Sequence, residues 1–278
     1  MDVKTQSLRD TPPAAQAART GESWGGFVWF IIKLLLAVLA FRVFVFSPFS
    51  IPTESMLPRL MTADYLLAAK WPYGISRHSL PFDLPLPDGR LLARTPERGD
   101  IVIFKHPVDG QDYIKRVIGL PGDRVAVVNG EVLLNGEALA REALPALAVP
   151  MSPNTLCGSA DVVRTADGAE ACRYTAFRET LPGGPSYTVL DLGTVPGADT
   201  FAEVTVPPGR LFVMGDNRDS SLDSRFEAAA GFGVGLVPED LLVGRATIIV
   251  WSTDGSAEWG NPLTWFSAAR WDRIGNLL

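Results

Sequence analysis

A run of 23 residues, Trp24–Phe46 (WGGFVWFIIKLLLAVLAFRVFVF), constrains this chain more than any other feature. As a helix it would be ~34 Å long, enough for the ~30 Å hydrocarbon core of a bilayer. It is apolar on every face, unlike a helix that packs one stripe against a soluble core. It carries two charges, Lys33 and Arg42. A lysine at mid-membrane costs about 2.5–3.5 kcal/mol, which the surrounding Phe, Ile, Leu and Val can offset. Arg42 lies one turn from the end, where its head group can reach the interface. A buried core helix and a cleaved leader are the alternatives. Val38 and Ala40 satisfy the small-residue rule for a leader, but the apolar run continues past them to Phe46, with Pro48 close behind. An uncleaved anchor is the favoured reading.

The flanks orient it. Lys4, Arg9 and Arg19 precede the run, and after Arg42 no base occurs until Arg59. Basic residues stay on the cytoplasmic side, so a single pass is expected with the N-terminus inside and the remaining body outside. Residues 1–23 read as a flexible cytoplasmic tail. The chain has 25 bases and 31 acids. The first 46 residues hold five of those bases and three of the acids, so the body carries 20 against 28, a net charge of −8. No basic excess points to nucleic acid, and a surface of that sign does not seek anionic phosphates or lipid heads. With 47% hydrophobic residues, the chain is not a disordered acidic one.

The body reads as strands. Tyr65–Lys70, Ile101–Phe104, Ile114–Ile118 and Leu241–Val250 are short apolar or β-branched runs. In Arg124–Glu137, Asn129-Gly130 and Asn135-Gly136 each sit where a tight hairpin turn belongs. No long amphipathic helix is evident, and 26 Gly and 22 Pro imply many turns. We therefore expect a mainly β body of barrel-like or coiled antiparallel sheets. The expected organisation is a catalytic core in two parts, 47–137 and 206–250. Between them lies an Ala-, Pro-, Gly- and Thr-rich insertion (138–205) with scattered strands. Residues 251–278 hold four of the seven tryptophans; interface contact and packing on the body's edge are both open for these rings. Cys157 and Cys172 both fall in the insertion and suit one disulfide in an oxidising compartment.

Three segments could carry chemistry. His78 and His106 are the only histidines, and neither lies in a nucleophile context. A Ser/His/Asp triad is therefore disfavoured, and two cysteines with two distant histidines make a zinc site unfavourable. Ser55 sits between Pro52 and Pro58, nine residues past the anchor. Lys115 lies within a β-branched run, where desolvation would leave a neutral amine able to take a proton. A serine nucleophile needs such a base when no histidine is present. The polar segment Gly215–Arg225 fails as an EF-hand: counted from Asp219, Ser224 stands where Gly belongs and Ala230 where Glu belongs. No metal and no cofactor are expected.

Taken in order behind such an anchor, four motifs resemble those of bacterial type I signal peptidases, the membrane-anchored Ser/Lys proteases. They are Ser55-Met56-x-Pro58-x-Leu60, Arg98-Gly99-Asp100-Ile101-Val102, Tyr113-Ile114-Lys115-Arg116-Val117-Ile118-Gly119-x-Pro121-Gly122-Asp123, and Gly215–Arg225. The resemblance covers most of residues 47–135 and 205–250. It implies Ser55 as nucleophile and Lys115 as general base. Ser221 would hydrogen-bond the Lys115 amine. Asp223 would hold the polar network with Arg116 or Arg225. The Ser55 N–H and the Thr53 hydroxyl would meet the oxyanion. Phe49, Ile51, Leu60, Tyr113 and Ile114 match substrate-binding positions, which in such proteins select small residues at −1 and −3 of Ala-X-Ala-type sites. The implied partners are signal peptides of secretory preproteins and the lipid bilayer, at the bacterial inner membrane with the catalytic body on the periplasmic side. Glu54 departs from the pattern, since a small residue is common beside the nucleophile; its carboxylate should point away from the oxyanion. Ser220 stands where Asn is frequent. A related maturation peptidase with one dedicated client, and a non-catalytic membrane-tethered β-domain, are the alternatives.

Overall fold

The computed structural model describes residues 24–79, 89–158, 160–166, 168–258 and 260–278; the tail expected over residues 1–23 lies outside them. The chain divides into one unit ending at Leu39 and a second, Ala40–Leu278. Helix α1 (Trp24–Phe44) accounts for most of the apolar run. Its side chains are exposed along nearly the whole described length, which removes the core-helix reading. Lys33 Nζ lies 5.4 Å from the centre of the Trp29 ring, one turn back, a cation–π contact that softens its desolvation.

The helix stops two residues earlier than the 24–46 span expected from hydropathy. Pro48 disfavours helical backbone at Ser47. Residues from Phe46 instead form strand β1 (Phe46–Ser50), paired antiparallel with β2 (Asp64–Ala69) at five positions. Ser47 Oγ donates to Arg42 O at 3.0 Å, capping the last turn.

The second unit is mainly antiparallel β. A seven-stranded sheet runs β1, β2, β15 (Leu242–Ser252), β3 (Ile101–Lys105), β4 (Asp112–Gly119), β13 (Arg210–Met214) and β14 (Val237–Pro238), in that order. The expected strands are all present within a residue or two of their predicted ends. A second sheet holds the predicted hairpins: β5 (Arg124–Val128), β6 (Glu131–Leu134) and β7 (Glu137–Ala138), with β12 (Thr200–Thr205) on the other side of β5. Asn129 and Gly130 both have positive φ, as do Asn135 and Gly136, the conformation two-residue hairpin turns demand.

The segment 138–205 differs from expectation. It forms a third sheet in which β8 (Ala140–Pro150) and β10 (Glu170–Thr180), 11 residues each, pair at nine positions, with β9 (Asp161–Arg164) and β11 (Ser186–Asp191) on the far edge of β10. Its Ala-, Glu- and Pro-containing β8 has little strand propensity of its own; long-range pairing supplies it. Strand β12, also inside that segment, belongs to the β5–β7 sheet, so the insertion is woven into the core.

Four buried clusters fill the interior. One contains Ile51, Met56, Leu60, Ile101 and Ile114 beneath the β1–β2 connection. Another joins Leu57 of that connection to Cys157, Cys172 and Tyr174 of the third sheet. At the C-terminus, Trp251 meets Trp271 edge-on at 6.0 Å, while Trp265 and Trp271 stay exposed beside the short helix α2 (Leu263–Ala268). Trp259 lies outside the described residues.

Candidate active site

Ser55 sits in the connection from β1 to β2. The connection's ends are pinned by Ile51 N–H to Asp64 O at 2.9 Å and Ala63 N–H to Ile51 O at 2.8 Å. Met56 and Leu60, both fully buried, anchor its middle by hydrophobic burial. Asn217 fixes the nucleophile turn from the other side: its N–H donates to Ser55 O at 3.1 Å, and its Nδ2 donates to Glu54 O at 3.1 Å. Ser55 itself is 6% exposed.

Lys115 comes from β4, opposite Val102 of β3. Its Nζ donates to Ser55 Oγ at 2.8 Å and to Ile114 O at 3.1 Å. The side chain is 4% exposed. Burial disfavours the ammonium and pushes its pKa down from 10.5 to about 8, against the pull of Asp223 and Asp216 and with help from Arg225. Sixty residues apart in sequence, the two groups are brought into hydrogen-bond contact by the place of Lys115 on β4 and by the anchoring of the Ser55 connection through Met56, Leu60 and Asn217.

The turn following β13 surrounds them. Asp223 is fully buried, yet its carboxyl is held below the usual carboxylate range. Desolvation opposes that, but Arg225 outweighs it: Nε reaches one oxygen and Nη2 the other, both at 2.9 Å, and Gly215 N–H adds a bond at 3.0 Å. The partner of Asp223 is therefore Arg225. Arg116, the other candidate, instead grips Asp216 with two bonds at 2.7 and 2.6 Å; neighbouring residues on a strand point to opposite faces, so Arg116 and Lys115 serve different sides of the sheet.

Ser221 departs from expectation. It is buried beside the pair, but its hydroxyl makes no hydrogen bond to Lys115 and finds no partner of acceptable geometry. It lies near enough to Asp223 to favour that carboxylate. Space explains why the turn can come so close. A Cβ on Gly215 would stand 2.3 Å from Ser221 Oγ and 2.4 Å from Ser55 O, so only glycine fits there. Gly215, Asn217 and Asp216 were visible in sequence merely as members of a polar run; Glu179, which grips Arg218 of the same turn, carried no signal at all.

Thr53 Oγ1 lies 3.4 Å from Ser55 Oγ. The Glu54 carboxyl accepts a backbone hydrogen bond from Leu156, and burial raises its pKa. An open cavity of about 320 Å³ lies over the pair. It is lined by Thr53, Gln111, Tyr113, Ile114, Leu222 and Gly231 among others. Of the five expected substrate-binding residues, Tyr113 and Ile114 reach this wall. Ile51 and Leu60 are buried beneath it with Ile114, and Phe49 packs on the same cluster. His106 is buried with its ring 4.7 Å from that of Tyr113, and its Nδ1 accepts the Val108 N–H at 3.2 Å. Cys157 and Cys172 are joined as a disulfide, in the cluster that carries Leu57. Among the described residues no group of three or more His, Cys, Asp or Glu side chains could hold a metal ion.

The family model described as signal peptidase, peptidase S26, matches residues 24–251. The signal peptidase I of Rickettsia massiliae is 33% identical over 272 residues, covering 91% of both chains. That of Rickettsia typhi is 35% identical over 233 residues, 81% of this chain and 78% of its own. A crystal structure of a signal peptidase I from Enterococcus faecalis aligns at 26% identity over 55% of this chain and 97% of its own, with a TM-score of 0.29.

Proposed function

The chain belongs to the signal peptidase family, peptidase S26, as a serine peptidase that removes signal peptides from preproteins, and on that premise we propose that Ser55 is its nucleophile and Lys115 its general base. The observation that carries this is the 2.8 Å contact between Lys115 Nζ and Ser55 Oγ. The neutral amine takes the Ser55 hydroxyl proton as Oγ bonds to the scissile carbonyl carbon. The resulting ammonium returns that proton to the departing amine of the mature protein, leaving the signal peptide as an ester on Ser55. Water, deprotonated by Lys115, then attacks the ester and releases the signal peptide. A pKa near 8 suits this task, because the amine is a stronger base than histidine yet neutral in part near pH 7.

Oxyanion stabilisation falls to the Ser55 N–H, which meets no acceptor among the described residues, and to the Thr53 hydroxyl, which is exposed beside the nucleophile. Asp223, Arg225 and Ser221 form the polar bed under the lysine. The substrate docks as an extended strand. The Asp112–Ile114 stretch of β4 pairs with β3 on one edge only, so its other edge is free for main-chain pairing. Side chains at −1 and −3 meet the apolar wall of Tyr113 and Ile114 over the buried Ile51 and Leu60, with Phe49 beside them, and that wall favours Ala-X-Ala-type sites. Helix α1 is the membrane anchor, with the N-terminus cytoplasmic and the catalytic body on the extracytoplasmic side of the bacterial inner membrane. The working division is the anchor, a two-part core (47–137 and 206–250), an inserted sheet segment and the Trp-rich end.

The test is cleavage of a preprotein in detergent by wild type, Ser55→Ala and Lys115→Ala. Both variants should be inactive; full activity in either one overturns the assignment.

A further inference from the structure

Beneath the 215–225 turn lies a charge pair that the mechanism does not use. Glu179 is on β10 of the inserted sheet and is 1% exposed. Its Oε1 accepts from Arg218 Nη1 at 2.7 Å, and its Oε2 takes the Nη2 of the same guanidinium. Tyr187, directly opposite on β11, donates its hydroxyl to Oε2 at 3.3 Å. Glu179 lies on the same strand face as Phe177, which packs on the core cluster that includes Tyr187 and Leu181. From Arg218 the contacts run toward the chemistry. Arg218 Nε donates to Gly215 O at 3.2 Å. Its own carbonyl accepts from Arg225 Nη2 at 2.5 Å. Arg225 in turn holds Asp223, and Gly215 abuts both Ser55 O and Ser221.

We propose that Glu179 is a positioning residue for the peptidase reaction: from the inserted sheet it seats Arg218, and through Arg218 the turn that carries Ser221, Asp223 and Arg225, against Ser55 and Lys115. This gives the segment 138–205 a part in catalysis, and it rests on the Ser55–Lys115 reading. The physical reason is the pairing of a buried charge. Burial works against the Arg218 guanidinium, but Glu179 and then Tyr187 more than offset it and hold its pKa above the ordinary value. Without Glu179 the carboxylate that still acts on Arg218 is Asp216, which already pairs with Arg116. A freed Arg218 would compete for it, shifting the turn and adding uncompensated positive charge near Lys115. The groups facing Lys115 are Asp223, Asp216 and Arg225 from the turn, Tyr113 from its own strand and Ser55. Those around Arg218 and Glu179 are Asp216 and Tyr187, with Arg116 stacked on the Tyr187 ring.

Steady-state cleavage of a peptide spanning a signal-peptide cleavage site, by the full chain in detergent, separates the possibilities. Glu179→Gln should lower kcat by ~10- to 100-fold, the scale of a displaced catalytic group, with KM near wild type. The acidic limb of its kcat–pH profile should move to lower pH, because added positive charge makes Lys115 harder to protonate. Glu179→Gln combined with Arg218→Met, which removes both charges, should return the limb to its wild-type place. Glu179→Asp keeps the charge but shortens the reach, so it should lower kcat with the limb unmoved; this variant decides the matter where Glu179→Gln does not fold. Wild-type kcat in Glu179→Asp or Glu179→Gln overturns the proposal. So does a fixed limb in Glu179→Gln, or a limb that stays displaced in the double variant. Ser55→Ala, run alongside, keeps the outcomes distinct: activity there would sink the dyad itself, whereas an inactive Ser55→Ala with normal Glu179 variants sinks only this role.

Discussion

Replacing Lys115 with methionine should stabilise the fold at neutral pH while abolishing activity. The amine is buried and its pKa is held down from 10.5 to about 8. That difference of about 2.5, at about 1.4 kcal/mol for each pH unit, means the buried ammonium costs the folded state about 3–4 kcal/mol. Methionine fills similar space without a charge. It gives up the hydrogen bonds to Ser55 Oγ and Ile114 O, about 1 kcal/mol for each. The net gain at pH 7 is then about 1–2 kcal/mol, or a Tm rise of about 3–6 °C for a domain of this size. The pH dependence carries the sign. Between about 8 and 10.5 the unfolded chain binds the proton and the folded chain does not, so wild-type stability rises across that window. The advantage of Lys115→Met should be full at pH 7 and gone by about pH 10.5. Thermal unfolding of both proteins in the same detergent at the two pH values reads it directly. A variant that melts at or below wild type at pH 7, or whose advantage is undiminished at the higher pH, refutes the reasoning. Most substitutions of a buried residue destabilise, so a gain is informative.

Other outcomes follow from the same geometry. Gly215→Ala forces a Cβ to within 2.3 Å of Ser221 Oγ and 2.4 Å of Ser55 O; cleavage should fall by ~10²-fold, and unchanged kcat would show that the turn gives way freely. Thr53→Val should lower kcat by ~10²–10³-fold, the usual effect of losing an oxyanion donor, whereas Thr53→Ser should stay near wild type. Asp64, fully buried, accepts from Arg273 at 3.1 and 2.5 Å and from Ser252 Oγ at 2.6 Å. Arg273→Met should therefore take the ion-pair partner from a buried carboxylate, leaving it only the Ser252 hydroxyl and the Met61 N–H, and cost about 3–5 kcal/mol in unfolding measurements.

What the sequence made legible was whatever depends on local patterning. The two Asn-Gly hairpins could be read because only a few residue types tolerate two successive positive φ values. The apolar strands could be read because β-branched runs between Gly and Pro have few other uses. The end of α1 could not be placed from hydropathy, since Phe46 suits lipid and sheet alike and it is pairing with Ala69 that decides. Strand β8 could not be read at all: Ala-Arg-Glu-Ala-Leu-Pro-Ala-Leu has helical or loop propensity, and its nine pairings with β10 are long-range. In the site, Ser55 and Lys115 were candidates one at a time, and the motifs' order joined them. The contacts that tune them were hidden because they involve backbone or distant partners. Asn217 holds the Ser55 carbonyl, Gly215 matters for the side chain it lacks, and Glu179 reaches the turn from another sheet. Ser221 shows the converse, since its expected bond to Lys115 is absent although the residue is where the motif puts it.

The central claim is that Ser55 forms the bond to the substrate and Lys115 moves the proton. Acid-quenching a reaction with a preprotein during its first turnover, followed by peptide mapping by mass spectrometry, tests it most directly. The account predicts a signal-peptide acyl group esterified to Ser55 Oγ in wild type and none in Ser55→Ala or Lys115→Ala. An adduct on another residue, such as Ser220 or Ser221, or turnover by Ser55→Ala, would contradict it.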